Sequence, residues 1–376
     1  MIILGGGISG LSFAYHYGKP CEIIEREVLG GLCASYEVEG YMLDRGVHTF
    51  FTKSQYVKDF YNNIMDGTIL WRDSVAKIWL DGRYINYPIQ KHAGELPGKI
   101  GIDHTRPEYI ADFRDFLLNK FGYDLCRMFF FPYNEKKFQI DLSEMDYTWA
   151  DYKNGTDEIH NAQMGYPKNG GFGTLIEKLS EKIKANVIIK DAINIPGDRP
   201  LVSTIPLTRL CGKYDCENLL PSDMECHPTY IYSIGIMGTP KTIFDWAYYP
   251  QEKIPFYRVS QPSNFNGTVA PQGEYLIQCE SSSPERKENI LNALGHVDII
   301  KPEVSTNRLV FYNEMTLPYA YVIPKTGQEK RIAQTIGYLN DLGIYPLGRF
   351  GEWEYLDADQ CILRAKELAE RLKNEY

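Results

Sequence analysis

Gly5-Gly6-Gly7-Ile8-Ser9-Gly10 sets three glycines at G-x-G-x-x-G spacing, directly behind the apolar run Met1-Ile2-Ile3-Leu4 and ahead of a helical segment, Leu11 to Tyr17. Strand, glycine loop and helix in that order build a site for a dinucleotide pyrophosphate. Gly5 makes the tight turn, Gly7 lets backbone N–H groups approach phosphate, and Gly10 lets the helix pack on the strand. Ser9, in the first helical turn, is a further candidate contact. The helix N-terminus adds free N–H donors and partial positive charge. Cys21-Glu22-Ile23-Ile24-Glu25 reads as the second strand and ends in an acid twenty positions after Gly5. Glu25 is placed to accept hydrogen bonds from ribose hydroxyls.

Other residues carry possible chemistry further along. Arg258 lies in Phe256-Tyr257-Arg258-Val259-Ser260, and Tyr321 and Tyr355 lie in tyrosine-rich segments. A guanidinium with tyrosine hydroxyls can stabilise negative charge that develops as a bond breaks, and one such preorganised donor is worth ~3–4 kcal/mol in a transition state. Arg258 would equally suit a solvated edge strand. His48, in Gly46-Val47-His48-Thr49-Phe50, has an imidazole suited to proton relay near neutral pH, or to a structural hydrogen bond. Tyr133, Tyr147 and Trp149 are candidates to stack on a base or to fill core.

The elements that must hold these residues follow from periodicity. Lys77 to Leu80 and Arg83 to Tyr87 flank Asp81-Gly82, a hairpin signal. Ile110, Phe113, Phe116, Leu117 and Phe121 recur at helical spacing and predict a helix over 107–131 that caps the site. Thr174 onward predicts a helix over 174–185, then a strand over 186–190; Leu201 to Pro206 reads as a buried strand of the parallel sheet. Alternating aromatic runs over 227–280 predict an antiparallel sheet. The last helix, from about 359 to 373, begins behind Asp357 and Asp359, either of which could cap it.

At 376 residues the chain suits two domains. With no low-complexity linker between them, they are expected to interleave. Forty basic against 49 acidic residues give a net charge of −9, which argues against a nucleic-acid partner. No apolar stretch approaches the ~20 residues of a membrane span. The first strand begins at residue 2, which leaves no room for a signal peptide, so a reducing cytoplasm is expected. Cys211, Cys216 and Cys226-His227 fit no common zinc spacing, and no metal is expected.

Gly30-Gly31 after the acid, followed by Tyr41-Met42-Leu43-Asp44-Arg45-Gly46-Val47-His48, resembles the extended amino-terminal pattern of the FAD family that includes amine oxidases, protoporphyrinogen oxidase and UDP-galactopyranose mutase. The resemblance implies FAD, with Gly30 and Gly31 near its ribityl and phosphates. It also implies an α/β fold: a Rossmann-type FAD-binding domain (1–75, 165–225 and 325–376) interleaved with a substrate domain of hairpin, helical cap and antiparallel sheet (76–164 and 226–324). Several segments resemble the mutases in particular. They are Tyr87-Pro88-Ile89-Gln90, Pro132-Tyr133-Asn134 through Phe138, the Arg258 strand, Pro318-Tyr319-Ala320-Tyr321, and Gly348-Arg349-Phe350-Gly351 through Tyr355, Asp357 and Asp359. By that likeness Tyr87, Gln90, Tyr133, Asn134 and Phe138 meet the nucleotide. Arg258, Tyr321 and Tyr355 meet the diphosphate, and His48, Arg349, Asp357 and Asp359 lie by the flavin.

One departure stands out. Where the mutases carry a second arginine, this chain reads Gly165-Tyr166-Pro167-Lys168-Asn169-Gly170-Gly171, with Asn169 at the eukaryotic arginine position and Ala162 near the bacterial one. Lys168 could substitute as a point charge but not as a bidentate clamp. The activity implied is interconversion of pyranose and furanose forms of a nucleotide-diphosphate sugar through a reduced-flavin N5–sugar adduct, with NAD(P)H a candidate reductant and a homo-oligomer an open option. The alternative is an FAD-dependent oxidase or desaturase of the amine oxidase or protoporphyrinogen oxidase type.

Overall fold

The structure, a computed structural model, describes residues 1–96, 109–150, 163–191, 200–300 and 308–376. A five-stranded sheet runs in the order Ile344–Pro346, Leu201–Ser203, Ile2–Leu4, Cys21–Glu25, Ala185–Ile189. Every neighbouring pair is parallel. Helices cover both faces, which is why these strands read as short unbroken apolar runs rather than alternating ones. On one face Ile3 and Ile23 pack with Leu11 and Ala14 of the helix Ile8–Tyr17 and with Ile362, Ala365 and Ala369 of the helix Ala358–Glu375. On the other, Ile2 and Leu4 pack with Leu207 and Leu210 of Leu207–Lys213 and with Leu339 of Glu329–Asp341. The chain leaves Ile2–Leu4 on one side and returns on the other, so the C-terminal end of this central strand opens onto a topological switch point, the usual ligand crevice of such sheets.

A seven-stranded sheet runs Leu309–Ile323, Glu225–Met237, Glu274–Ser281, Arg258–Ser260, Trp246–Tyr248, Ala76–Leu80, Arg83–Asn86. The predicted hairpin is its edge: Asp81 and Gly82 both take positive φ (47° and 75°), as a tight primed turn requires. The sheet departs from the all-antiparallel expectation at one seam, where Trp246–Tyr248 pairs in parallel with Ala76–Ile78. Its strand near Arg258 is also shorter than expected, with Phe256 and Tyr257 lying before it.

The predicted helix over 107–131 is broken into pieces, and its residues 107–108 lie outside the described residues, as does Ala162. Phe113–Phe121 is helical behind the cap Asp112, whose side chain accepts the Asp115 N–H. Gly122, at φ 77°, ends it. A turn at Tyr123–Leu125 leads into a π-helical stretch, Cys126–Phe130, and then the helix Phe131–Phe138. The helix predicted over 174–185 ends earlier, at Glu181, and the following strand is Ala185–Ile189. The last helix is capped by Asp357 in a capping box with Gln360, whose Oε1 accepts the Asp357 N–H at 2.9 Å. Among the described residues no helix is long and apolar enough to cross a membrane, and all eight cysteines are unpaired.

Candidate active site

A cavity of about 930 Å³ runs from the glycine loop, past the loop of His48, to the tyrosine cluster on the seven-stranded sheet. That is near the upper end of ordinary ligand pockets, ~300–1,000 Å³.

At one end stand Gly5, Gly7, Ser9, Glu25, Gly30 and Gly31. Gly5 has φ 90°, and a Cβ there would overlap Thr204 Oγ1; Thr204 in turn donates to the Leu4 carbonyl at 2.9 Å. A Cβ on Gly10 would run into the Gly5 carbonyl oxygen, so Gly10 serves the close approach of helix to loop and does not itself line the cavity. Three backbone N–H groups fix the Glu25 carboxylate: Gly6 to Oε2 at 2.8 Å, and Arg26 and Glu27 to Oε1 at 2.7 and 3.1 Å. Gly30 N–H donates to the Gly6 carbonyl at 2.7 Å, which ties the second glycine pair against the first loop. Each local feature is thus a consequence of glycine where backbone meets backbone, and of an acid at a strand end beside free N–H donors.

In the middle, His48 Nδ1 lies 3.2 Å from the Gly46 carbonyl. Burial pushes its imidazole down to about 4, against the Gly46 hydrogen bond, with Arg349 adding to the depression. His48 is therefore neutral near pH 7. Arg349 donates from Nε to the Leu356 carbonyl (2.7 Å) and from Nη1 to that of Ala320 (3.0 Å), and lies 3.7 Å from Asp357. Asp357 and Asp359 also line the cavity. So does Arg45, whose buried Nε has no hydrogen-bond partner among the described residues.

At the far end Arg258 and Glu280 face each other in register across neighbouring antiparallel strands. Nε and Nη2 of Arg258 reach the two Glu280 oxygens at 2.9 and 2.6 Å. Glu280 also accepts the Tyr257 hydroxyl (3.0 Å) and the Val47 N–H (3.2 Å), which pins the His48 loop. Burial alone would raise the Glu280 carboxyl, but the Arg258 guanidinium holds it below the ordinary carboxylate range. Arg258 Nη2 extends to the Tyr321 hydroxyl at 3.4 Å. The rings of Tyr321 and Tyr355 stack at 5.7 Å and 5°, and Lys137 Nζ donates to the Tyr355 hydroxyl at 3.0 Å. Burial raises Tyr355, so its hydroxyl stays protonated. Tyr87, Tyr133, Asn134, Phe138 and Trp149 complete the wall. Tyr133 stacks on Phe129 (5.3 Å, 20°), and Asn134 Nδ2 donates to the Phe130 carbonyl at 2.7 Å. Tyr147 stacks instead on Phe116, in the helical cap.

Three sequence-predicted residues stand elsewhere. Gln90 is half-buried but not in the cavity wall, and Lys168 and Asn169 are exposed at the end of the strand Met164–Pro167. Three others were missed. Glu280 could have been suspected as an acid closing the apolar run Tyr275-Leu-Ile-Gln-Cys, since a buried charge needs a partner. Lys137 gave no signal beyond a second lysine in Lys136-Lys137, and Arg45 none beyond its place in a quoted motif.

Residues 3–64 match the family described as NAD(P)-binding Rossmann-like domain. A 51-residue stretch is 39% identical to an uncharacterized protein in the nifH2 3′ region of Methanothermococcus thermolithotrophicus. That match covers 13% of this chain and spans half the length of the relative. Solved structures align along the whole chain. A reduced UDP-galactopyranose mutase superposes with TM-score 0.85 at 22% identity, covering 100% of this chain and 94% of that one. A protoporphyrinogen oxidase-like protein from Exiguobacterium follows with 0.76 at 16%, covering 100% and 98%. A fatty acid isomerase from P. acnes that produces CLA gives 0.68 at 13%, covering 98% and 97%. The chain thus has the α/β fold shared by these proteins, with its Rossmann-like match at residues 3–64, as expected from its motifs.

Proposed function

We propose that the chain is an FAD-dependent mutase that interconverts ring forms of a nucleoside-diphosphate sugar. The observation that carries this reading is the continuity of one cavity from the glycine loop and Glu25 to the Arg258, Tyr321 and Tyr355 cluster. The residues fit the cofactor. The first glycine loop, Ser9 and Glu25 would hold its pyrophosphate and ribose, and Gly30 and Gly31 its ribityl side. The Nε of Arg45, buried and without a hydrogen-bond partner among the described residues, offers a donor for an acceptor on the cofactor. Reduced FAD would supply an electron-rich ring able to attack an anomeric carbon.

The protein's own part is positioning and electrostatics. Arg258, held rigid by Glu280, presents Nη2 toward Tyr321. With the protonated Tyr355 hydroxyl it would donate hydrogen bonds to oxygens of the leaving diphosphate, as preorganised oxyanion donors do. Neutral His48, its Nδ1 tied to Gly46, would keep Nε2 for a proton near the sugar ring. Tyr87, Tyr133, Asn134 and Phe138 would seat the nucleoside. In this reading 1–75, 165–225 and 325–376 bind cofactor, 76–164 and 226–324 bind substrate, and NAD(P)H is a candidate reductant. Gln90, Lys168 and Asn169 take no part.

A second reading, an FAD-dependent oxidase or desaturase, is favoured by one observation: Glu280 neutralises Arg258, which would suit a less anionic substrate. One experiment separates the two. Dithionite-reduced protein is incubated with UDP-galactopyranose and a panel of nucleotide sugars, and products are read by NMR. A furanose product supports the mutase. Oxygen consumption with peroxide on amine or apolar substrates, and no nucleotide-sugar turnover, supports the oxidase. Protein that folds but takes up no FAD ends both.

A further inference from the structure

We propose that Arg45 is a flavin-binding residue whose guanidinium meets the negative charge that the isoalloxazine gains on reduction, and so sets the potential of the cofactor. The inference rests on the FAD reading above and holds for either of its two activities. Arg45, Arg258 and Arg349 all line the middle and far end of the cavity. Two of them have partners in the protein. Both Glu280 oxygens hold Arg258, and Arg349 donates to the carbonyls of Leu356 and Ala320 beside Asp357. Arg45 differs: its buried Nε has no hydrogen-bond partner among the described residues, nor does its guanidinium form an ion pair there. The two acids nearest it along the loop are already occupied, Asp44 by three donors and Glu280 by four. Buried polar atoms are nearly always paired, so such a donor asks for an acceptor on what fills the cavity.

The backbone on both sides of Arg45 is fixed. Arg45 follows the strand Tyr41–Asp44. The buried Asp44 carboxylate accepts Ser35 Oγ, the Tyr166 hydroxyl at 2.6 Å and the Phe172 N–H at 2.9 Å. Gln278 Nε2 donates to the Asp44 carbonyl at 3.0 Å, and Glu280 accepts the Val47 N–H at 3.2 Å. Gln278 and Glu280 stand two apart on the strand Glu274–Ser281 and share one face of it. That face stitches down the loop before and after Arg45. Side chains alternate at a strand end, so Asp44 goes to the interior and Arg45 to the cavity.

Oxidised isoalloxazine is neutral. Two electrons and one proton, the proton at N5, leave it with one negative charge shared by N1 and the C2 carbonyl oxygen. Charge placed near a flavin ring is one of the means by which a protein tunes it. A fixed cation attracts the reduced ring and not the oxidised one, and a half-buried site strengthens that attraction over its value in water. The pyrophosphate has a positive partner of its own, the N-terminus of the helix Ile8–Tyr17 at Gly7 and Ser9. Arg45 stands instead on the loop of His48.

The test reads a potential, not turnover. FAD-loaded wild type, Arg45→Met and Arg45→Lys are reduced stepwise with dithionite as electron donor, beside a reference dye and at one pH. The visible spectrum gives the midpoint potential of the bound flavin. Arg45→Met should prefer reduced over oxidised FAD about 10- to 100-fold less than wild type, as for loss of a hydrogen bond to a charged group. For a two-electron couple that is a potential about 30–60 mV more negative. Arg45→Lys, which keeps the charge, should hold most of the wild-type value. Equal potentials in Arg45→Met and wild type overturn the proposal, and weaker flavin binding at an unchanged potential does so too, since it marks a contact to the ADP half. An Arg45→Lys potential as low as that of Arg45→Met overturns it as well, because charge is then not the cause. Should Arg45→Met hold no flavin, Arg45→Gln, which keeps a donor, is measured in its place with the same expectation; loss of flavin from both neutral variants overturns the redox role. Wild-type protein that takes up no FAD overturns the cofactor reading itself.

Discussion

Replacing Glu280 with glutamine should cost far more than the change of one atom suggests. The carboxylate is almost wholly buried, 2% exposed, and accepts four hydrogen bonds. Oε1 takes the Val47 N–H and Arg258 Nε; Oε2 takes Arg258 Nη2 and the Tyr257 hydroxyl. A glutamine has one acceptor oxygen. Whichever way it is turned, its NH₂ meets an Arg258 N–H, and only the Tyr257 hydroxyl can rotate to accept instead. The variant loses the ion pair and leaves the guanidinium without its counter-charge. Breaking a buried pair from one side costs about 3–5 kcal/mol. At about 2.1 cal/mol/K per residue, unfolding this chain has an entropy of about 0.8 kcal/mol/K near its midpoint, so the melting temperature should fall by about 4–6 °C. The assay is thermal melting of FAD-loaded protein at fixed excess FAD. Glu280→Met/Arg258→Met, which removes both charges together, should recover most of that loss, because apolar replacements of a whole buried pair are often neutral. If Glu280→Gln melts within about 1 °C of wild type, or the double variant is no better than the single, the ion pair is not the strut described here.

Gly10→Ala should strip FAD and lower stability by about 1–3 kcal/mol, since its Cβ meets the Gly5 carbonyl oxygen and lies 3.2 Å from Ile3 Cγ2; the ratio of flavin to protein absorbance reads the loss. Lys136→Met should leave the carbonyls of Tyr249, Gln251 and Phe256 without their shared donor and cost about 3 kcal/mol, seen as a melting shift of about 4 °C; no shift would refute its role as a clamp. His48 is held near 4 against an ordinary 6.5, so the unfolded chain takes up a proton between those values and the native state does not. Its contribution is complete above about pH 6.5 and falls away as the pH drops toward 4, by at most about 3 kcal/mol. The difference in melting temperature between wild type and His48→Gln should therefore vary with pH only in that window.

What the sequence showed of this molecule is what local chemistry writes into neighbouring residues. The glycine loop, Glu25, the Asp81-Gly82 turn and the capping acid Asp357 each depend on a few consecutive positions, and each stands where the pattern put it. The residues that went unseen depend on register or phase. Glu280 meets Arg258 only because two strands 22 residues apart at those positions pair in one register of several available, and a slip of one residue would carry one of the two side chains to the other face. Lys137 was hidden by the π-helical stretch Cys126–Phe130. That stretch follows i→i+5 spacing, so the apolar rhythm of Phe113, Phe116 and Leu117 cannot be extended to residues 131–138; each extra residue turns the following face by about 100°. With the phase lost, no count along the chain could say which of two adjacent lysines clamps a loop and which faces the cavity. The three carbonyls around Lys136 decide it. The resemblance pointed to Lys168 as a point charge for the site, but it stands exposed at the end of Met164–Pro167, outside the cavity wall. Tertiary packing instead brings Lys137 to the tyrosine pair, from a helix some thirty residues earlier in the chain.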